Sequence, residues 1–194
     1  MDPQEAADLL ASEYASVVLS RNLTPIFDEN TKNNVLAVAK YISQEKPKPG
    51  VMFCGTCGNG KTTMLRALQC AIRDLGRNHF SSCLRCNLNA EMSILDARDI
   101  AYRGRDFDEI RRIRSLELLA IDDFGKEPGE VLDFGTVVNP IDHILEFRYE
   151  HQLFTALSTN LTSKEVREKY GLRIGDRFNE MLEVIVFDDV SYRS

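Results

Sequence analysis

One octapeptide restricts the fold of this chain more than any other feature. It fits the pattern G-x-x-x-x-G-K-[ST] at every position, and it reads Gly55-Thr56-Cys57-Gly58-Asn59-Gly60-Lys61-Thr62. An apolar run at 51–54 predicts a strand before it, and the pattern of residues 61–75 predicts a helix after it. Glycines let such a loop turn its N–H groups inward, and the helix N-terminus adds a partial positive charge at the same point. The motif therefore predicts a loop that binds nucleotide phosphates.

Residues of this phosphate loop have distinct predicted roles. Lys61 is expected to reach the β- and γ-phosphates, and Thr62 is expected to offer its hydroxyl to Mg²⁺. Thr63 is expected to continue the helix beside them. We therefore expect ATP and Mg²⁺ as cofactors, with nucleotide-binding residues Gly55, Thr56, Cys57, Gly58, Asn59, Gly60, Lys61, Thr62 and Thr63.

Polar residues follow two further apolar runs. Asp122 and Asp123 come directly after 118–121, where a buried parallel strand would deliver them to the ligand-binding edge of the sheet. Asp122 is expected to hold Mg²⁺, directly or through water, and Asp123 to orient or deprotonate an attacking water. Asn160 follows the strand predicted at 153–158 and is placed to hydrogen-bond the γ-phosphate or that water. A simple turn or cap is the alternative role for Asn160.

Length and composition favour one soluble domain. The chain has 194 residues, of which 43% are hydrophobic and 28% charged, which is enough for a real core. The apolar runs are shorter than the ~20 residues of a membrane span, and the N-terminus lacks the layout of a signal peptide. A cytoplasmic protein without a membrane partner is expected. The net charge of −6 disfavours coating of nucleic acid by bulk electrostatics.

Strands and helices alternate along the chain, which predicts an α/β fold with a mostly parallel sheet covered on both faces. The predicted strands are 51–54, 80–86, 116–121, 153–158 and 184–187. The predicted helices are 2–19, 29–44, 61–75, 89–102, 137–149, 163–169 and 173–181. In the second helix, four residues are expected to face inward: Val35, Leu36, Ala39 and Ile42. Residues 1–49 are expected to form helices that lead into a core at 50–194.

Taken together, the motifs resemble those of the AAA+ ATPases, and within them the DnaC and IstB group. The resemblance covers roughly residues 21–194 and rests on 118–127, 158–162, 170–171, 173–178 and 191–193. It implies a P-loop NTPase core with a five-stranded parallel sheet, in the order 5-1-4-3-2, sandwiched by helices. Because the sequence stops at Ser194, no C-terminal helical lid is expected.

The same resemblance implies a shared ATP site and thus a homo-oligomer with ATP at subunit interfaces. Asn160 corresponds to the phosphate sensor called sensor 1, and Arg177 to an arginine finger that enters the neighbouring subunit's site. A surface salt bridge is the alternative for Arg177. Arg173, one helical turn earlier, is a weaker candidate, and Arg193 is a candidate second sensor.

A strip rich in arginine lies between the second and third predicted strands. Residues 98–114 contain six arginines and four acidic residues. In the resembling group, an insertion here faces a central channel and touches single-stranded DNA. Stacking rings beside guanidinium groups suit that role, and the candidate DNA contacts are Tyr102, Arg103, Arg105 and Phe107. A solvated helix face with ion pairs is the alternative.

Five cysteines include two pairs with the C-x-x-C spacing of zinc sites, Cys54 with Cys57 and Cys83 with Cys86. In the implied strand order, the second strand lies three positions from the first, or ~14 Å at ~4.8 Å per strand. That separation is too large for one tetrahedral site, so buried or loop thiols are expected rather than zinc.

These features predict an ATPase that acts as a switch, assembles on single-stranded DNA and loads or regulates a partner. A DnaC-like replicative helicase loader in DNA replication is the leading interpretation, and an IstB-type regulator of a transposase is its close alternative. A monomeric P-loop kinase and a non-hydrolysing nucleotide-gated module are the rivals from other classes. Only about fifty residues precede the phosphate loop, so any helicase contact is expected to use the helix at 2–19.

Overall fold

A computed structural model defines the fold and describes residues 1–75, 91–104, 106–128, 131–133 and 136–187. The helices are α1 Pro3–Leu19, α2 Glu29–Ser43, α3 Lys61–Leu75, α4 Ala97–Arg103, α5 Phe107–Arg114, α6 Pro140–Glu150 and α7 Ser163–Met181. The strands are β1 Gly50–Cys54, β2 Ser93–Asp96, β3 Leu118–Phe124, β4 Val131–Asp133, β5 Thr136–Val138, β6 Phe154–Thr159 and β7 Leu182–Val186.

Five of the strands form one parallel sheet in the order β2-β3-β6-β1-β7. Numbered within this sheet alone, the order is 2-3-4-1-5, so the expected α/β fold with the order 5-1-4-3-2 is confirmed. Strand β1 lies between β6 and β7 and ends with Cys54 beside Thr159 of β6 and Val186 of β7. The carboxyl ends of neighbouring strands therefore meet at one edge, directly below the phosphate loop. Strands β4 and β5 form a separate antiparallel pair that the sequence did not predict.

The sheet separates two apolar layers. Val51 and Phe53 of β1 face the layer that α1, α2 and α3 cover, whereas Met52 faces the layer that α4 to α7 cover. The alternation follows from the pleat, which turns successive side chains to opposite faces. Helix α1 contributes Leu10, which is fully buried, to the first layer, so the N-terminal helices share a core with α3.

The helix predicted over 89–102 is wrong in its first half. Residues Ser93–Asp96 form strand β2, and helix α4 begins only at Ala97, where the Asp96 carboxylate accepts the N–H of Arg98. A four-residue strand followed at once by a seven-residue helix is too short for either period to show in the sequence. The strand predicted at 80–86 lies outside the described residues.

One inward-facing assignment in α2 is also wrong. Leu36 is 51% exposed, whereas Val35, Ala39 and Ile42 are buried as expected. Val38 lies in the core with these three residues. Positions three to four residues apart share one helix face, whereas Leu36 lies about 100° from Val35 around the helix axis.

The long helix α7 contains the break that the sequence predicted between 163–169 and 173–181. Gly171 has φ 83° and ψ 166°, and the chain is helical on both sides of it. A positive φ favours glycine, which has no Cβ to clash with the backbone. The break turns the second half of α7, which carries Arg177, along α6.

Arg148 of α6 is fully buried and joins the lower ends of two central strands. Its Nε donates to Thr155 Oγ1 at 2.8 Å, and its Nη1 donates to the carbonyls of Arg114 and Leu116 at 3.0 and 2.6 Å. Burial lowers the pKa of Arg148 to about 9. These hydrogen bonds hold β3 and β6 in register below the site.

Within the described parts of the chain, no helix combines the length and apolarity that crossing a bilayer requires.

Candidate nucleotide-binding site

The phosphate loop joins the end of β1 to the start of α3 and depends on its glycines. Gly55 has φ 150°, and a Cβ there would overlap the carbonyl oxygen of Phe187 and the amide of Asn59. Gly60 has φ 91°, which also excludes most side chains. Side chains at these positions would push the loop away from the sheet edge.

Lys61 lies across the mouth of this loop. Its ammonium donates to the carbonyls of Gly55 and Thr56 at 2.8 and 2.5 Å and to Asn59 Oδ1 at 2.9 Å. Burial lowers its pKa. Three oxygens thus hold a positive charge at the point where the loop turns its backbone inward.

Three oxygen-bearing side chains converge beside Lys61. Thr62 Oγ1 donates to Asp122 Oδ1 at 3.1 Å, and the Ser158 hydroxyl donates to the same carboxylate oxygen. Hydroxyl and carboxylate oxygens are the ligands that Mg²⁺ prefers. The donor set of Thr62 and Asp122 therefore fits a magnesium ion at the first turn of α3.

Asp123 lies at an irregular end of β3. The register with β6 shifts between Ile121 and Phe124, and Asp123 has φ 56°. Its N–H donates to Asp122 Oδ1 at 3.1 Å and to Ser158 Oγ at 3.0 Å, and its carboxylate forms an ion pair with Lys126 at 2.7 Å. The left-handed turn places the side chain of Asp123 on the cavity wall instead of in the sheet.

A cavity of about 420 Å³ covers these groups, a size typical of small-molecule sites. One wall is polar and comprises residues 57–63 together with Asp123, Lys126 and Asn160. The other wall comes from the N-terminal segment and is mainly apolar, with Tyr14, Val18, Arg21, Leu23, Thr24 and Ile26. The cavity therefore offers charge at one end and apolar surface at the other, as a nucleotide requires.

Asn160 is exposed and lines this cavity directly after β6. The preceding residue, Thr159, donates through its hydroxyl to the carbonyl of Phe124 at 2.7 Å. This hydrogen bond ties the carboxyl ends of β6 and β3 together, next to the point where Asn160 and Asp123 line the cavity.

Arg177 does not line the cavity of its own chain. It lies on α7 with its side chain 14% exposed, and its Nη1 is 3.1 Å from Glu146 Oε1. Its guanidinium also lies over the ring of Tyr149, 4.9 Å from the centroid. Arg173 is 3.2 Å from the same Glu146 carboxylate and is far more exposed. Both arginines therefore pack against α6, while Arg193 lies outside the described residues.

A buried carboxylate connects the acidic loop after β3 to α7. Glu127 accepts the N–H of Gly125 at 2.9 Å and the hydroxyl of Tyr170, and Lys169 Nζ lies 3.2 Å from it. Lys169 also donates to the carbonyl of Gly125 at 2.5 Å. The segment that follows Asp123 is thereby anchored to the helix that carries Arg177.

The described candidate DNA contacts, Tyr102, Arg103 and Phe107, do not line the cavity. Tyr102 and Phe107 are 69% and 67% exposed, and the Arg111 guanidinium lies 5.1 Å from the centroid of the Phe107 ring. Arg103 forms an ion pair with Glu109 at 3.3 Å. The strip thus combines exposed rings with an ion pair of the kind found on a solvated surface, and Arg105 lies outside the described residues.

Two of the cysteines with zinc-like spacing lie beside the phosphate loop. Cys54 is half-buried at the end of β1, where burial raises its pKa to about 11, and Cys57 is exposed in the loop. Cys83 and Cys86 lie outside the described residues.

Sequence reasoning assigned no role to several residues at this site, among them Ser158, Lys126, Arg21 and Ile26. Ser158 and Lys126 lie in segments that the sequence singled out, 158–162 and 118–127, but neither received a role there. Arg21 donates from Nη1 to Thr63 Oγ1 at 3.1 Å, and Ile26 lines the cavity, although both precede the phosphate loop by about thirty residues or more.

No family model matches the chain, and no curated protein matches it in sequence. Solved structures do match its fold. The crystal structure of the DnaC helicase loader superposes with a TM-score of 0.65 and 20% identity, covering 90% of this chain and 98% of that one. The crystal structure of DnaI gives a TM-score of 0.64 and 19% identity, covering 93% of each chain.

This chain has the AAA+ fold. The resemblance seen in the sequence is confirmed at that level, since the sheet order and the similar structures agree. Replication initiator DnaA bound to AMPPCP and single-stranded DNA shares the AAA+ fold with a TM-score of 0.57 and 17% identity, covering 89% of this chain and 50% of that one.

Proposed function

We propose that this chain is an AAA+ ATPase that uses ATP binding and hydrolysis as a switch to load a replicative helicase. The observation that carries the ATPase proposal is that Lys61, Thr62 and Asp123 line one cavity, with Asp122 hydrogen-bonded to Thr62. Residues 50–194 form its ATPase core, and residues 1–49 supply helices that close the cavity. The proposal places the protein in the cytoplasm.

In this cavity each polar side chain has a distinct task. Lys61 exchanges its carbonyl partners for phosphate oxygens, and the loop N–H groups of 55–63 bind the remaining oxygens. Thr62 and Asp122 hold Mg²⁺, which neutralises charge on the phosphates when bound. Asp123 accepts a proton from the attacking water, and Asn160 orients that water or contacts the γ-phosphate.

Arg177 completes the site of a neighbouring copy. Its position away from its own cavity supports a role in trans, because a guanidinium that serves the next subunit must lie on a different face. Supplied there, it stabilises the negative charge that develops on the transferred phosphoryl group. ATP turnover is then a property of the homo-oligomer.

The helicase and DNA assignments rest on similarity of fold to the DnaC helicase loader and to DnaA bound to single-stranded DNA. The exposed rings of Tyr102 and Phe107 support contact with single-stranded DNA, since bases stack on such rings without sequence preference. Arg103 and Arg105 are proposed to bind the phosphates beside them.

The decisive experiment measures the native mass of this protein mixed with the replicative helicase of its host, in Mg-ATP and in ADP. A complex that forms only in Mg-ATP supports the loader. If no complex forms in either nucleotide, the helicase assignment is wrong, and the transposase regulator becomes the partner to test. ATP turnover per chain that does not depend on protein concentration would instead favour a monomeric kinase and contradict the shared site.

A further inference from the structure

Lys126 has no role in the mechanism described so far, yet it lies inside the cavity. Its ammonium is 2.7 Å from Asp123 Oδ1, the carboxylate assigned to the attacking water. Lys126 also lines the cavity together with Lys61. In this arrangement, the proposed proton acceptor is therefore neutralised by a cation from its own loop.

The backbone around this ion pair is held firmly, while the lysine side chain is free to move. Asp123 is fixed by the two hydrogen bonds that its N–H donates, and the N–H of Lys126 donates back to the carbonyl of Asp123 at 3.0 Å. The next residue, Glu127, is anchored in the buried network with Tyr170. The side chain of Lys126 itself is 40% exposed, so it can change partner without moving the loop.

The charges in the cavity favour such a change of partner. Burial is the main cause of the lowered pKa of Lys61, and the positive charge of Lys126 acts in the same direction. Both ammonium groups line the same cavity, so a polyphosphate bound there can contact both of them. A γ-phosphate brings more negative charge than a single carboxylate, and a charge-assisted hydrogen bond to it is correspondingly strong.

We propose that Lys126 exchanges its ion pair with Asp123 for the γ-phosphate of a bound nucleoside triphosphate, and thereby distinguishes triphosphate from diphosphate. The exchange frees the Asp123 carboxylate to face the attacking water only when a γ-phosphate is present. A diphosphate leaves the Lys126–Asp123 pair closed. This inference rests on the proposed nucleotide site, and it concerns binding before any hydrolysis takes place.

The test compares the affinities of AMPPCP and ADP in the presence of Mg²⁺ by calorimetry on the full chain. Lys126→Met is expected to weaken AMPPCP binding by about 10- to 100-fold and to change ADP binding by less than about 2-fold. Lys126→Arg, which keeps the charge, should retain most of the preference for AMPPCP. Lys40→Met, at an exposed position on α2, is the matched control and should change neither affinity.

A double-mutant cycle tests the exchange itself. Asp123→Asn releases Lys126 and is expected to tighten AMPPCP binding, whereas in the Lys126→Met background the same change should have a smaller effect. Equal gains in the two backgrounds would overturn the exchange. Equal losses of AMPPCP and ADP affinity in Lys126→Met, or no loss at all, would overturn the discrimination.

These outcomes are separable from failure of the proposed function. Suppose that the wild type prefers AMPPCP, that Lys126→Met loses this preference, and that the wild type still does not hydrolyse ATP. That result would contradict the ATPase proposal and leave this inference standing. A wild-type chain that binds neither nucleotide overturns both. Because Lys126 makes an exposed ion pair, Lys126→Met should melt within about 2 °C of the wild type, and a melting curve checks that it is folded.

Discussion

The ring of Tyr170 stacks on the ring of Phe124, with centroids 4.5 Å apart and 15° between the planes, and its hydroxyl donates to the buried carboxylate of Glu127. Phe124 ends the strand that carries Asp122 and Asp123, and Tyr170 belongs to the helix that carries Arg177. The proposed ATP site of a subunit is thus packed directly against the element proposed to serve its neighbour. A shift at one of them must displace the other or break this contact.

Tyr170→Phe tests the strength of that connection. The ring stack remains, but the buried Glu127 loses one donor, so the free energy of unfolding should fall by about 1–3 kcal/mol. Urea denaturation measures the change. Tyr149→Phe is the matched control, because the Tyr149 hydroxyl donates to Glu180 at the surface and its loss should cost less than about 1 kcal/mol. Equal losses of unfolding free energy in the two variants would show that burial does not strengthen the contribution of the Tyr170 hydroxyl.

Mixing two inactive variants tests the shared ATP site. Asp123→Asn should keep nucleotide binding and slow hydrolysis by about 10²- to 10⁴-fold, and Arg177→Ala should slow it by about 10³-fold or more. In an equal, random mixture, about a quarter of the interfaces join an intact site to an intact finger, so activity should return to roughly that fraction. A mixture as inactive as its components would contradict the arrangement in trans.

Arg173→Ala is the control for the finger. Arg173 shares the Glu146 carboxylate with Arg177 but is far more exposed. Steady-state turnover of Arg173→Ala should stay close to that of the wild type. A loss as large as that of Arg177→Ala would assign the finger to Arg173 or to both residues.

Asp142 makes stability depend on pH. Burial is the main cause that raises its pKa to about 6. The charges of Glu146 and, more weakly, Glu127 also raise this pKa, whereas the charge of His143 lowers it. Because this pKa lies above that of the unfolded chain, the folded state holds the proton more tightly, and the resulting stability is lost as the pH rises through about 6. Asp142→Asn should therefore stabilise the protein more at pH 8 than at pH 5, by about 1 kcal/mol.

Urea denaturation of Asp142→Asn at the two pH values checks this expectation. Asp176→Asn is the control, since Asp176 is exposed and its ion pair with Arg167 is weak at 3.4 Å. Its effect should stay within about 0.5 kcal/mol at both pH values. If Asp142→Asn raises the free energy of unfolding more at pH 5 than at pH 8, the result contradicts the expected pH dependence.

Tyr102→Ala tests the proposed contact with single-stranded DNA. The ring is exposed, so its loss should leave the fold intact and weaken binding of an oligonucleotide by about 1–3 kcal/mol, the range for one stacked base. Fluorescence anisotropy with a labelled oligonucleotide measures the affinity. Leu36→Ala removes an exposed apolar side chain from α2 and should change nothing. An unchanged isotherm for Tyr102→Ala would remove stacking on this ring from the mechanism.

The arginines of the same strip contribute differently. Arg103→Ala combined with Arg105→Ala should weaken binding and flatten its dependence on salt, because fewer counterions are released. Repeating the titration at several salt concentrations measures the slope. A slope equal to that of the wild type would remove both arginines from the DNA contact and leave Arg103 with only its surface ion pair to Glu109.

Much of the site's framework was predictable because it is encoded over short distances. The glycines of the phosphate loop are needed for backbone angles that other residues resist, so their spacing alone indicated a turn around phosphates. Apolar runs that end in Asp122 or Asn160 indicated strand ends at one sheet edge, since parallel strands share their direction. The predicted helix bounds agreed with the structure where the periodic segment was long, as in α3.

Predictions were wrong where the local signal was too short or the partner lay far along the chain. The strand at Ser93–Asp96 was hidden by the helix that follows it. Leu36 was assigned to the buried face because it is apolar, although it lies about 100° from Val35 around the helix. The pair of Lys126 with Asp123 is local, but its position inside the cavity depends on the left-handed turn at Asp123.

Local sequence patterns predicted the phosphate loop, the acidic strand end and the alternation of strands and helices, because each depends on backbone angles or spacings within a few residues. The contacts of Arg21 with Thr63 and of Tyr170 with Glu127 arise from the tertiary fold and have no such local pattern. These partners are 42 and 43 residues apart in the chain. Periodicity tells which face of a helix is buried, whereas the packing of whole layers decides which side chains meet there.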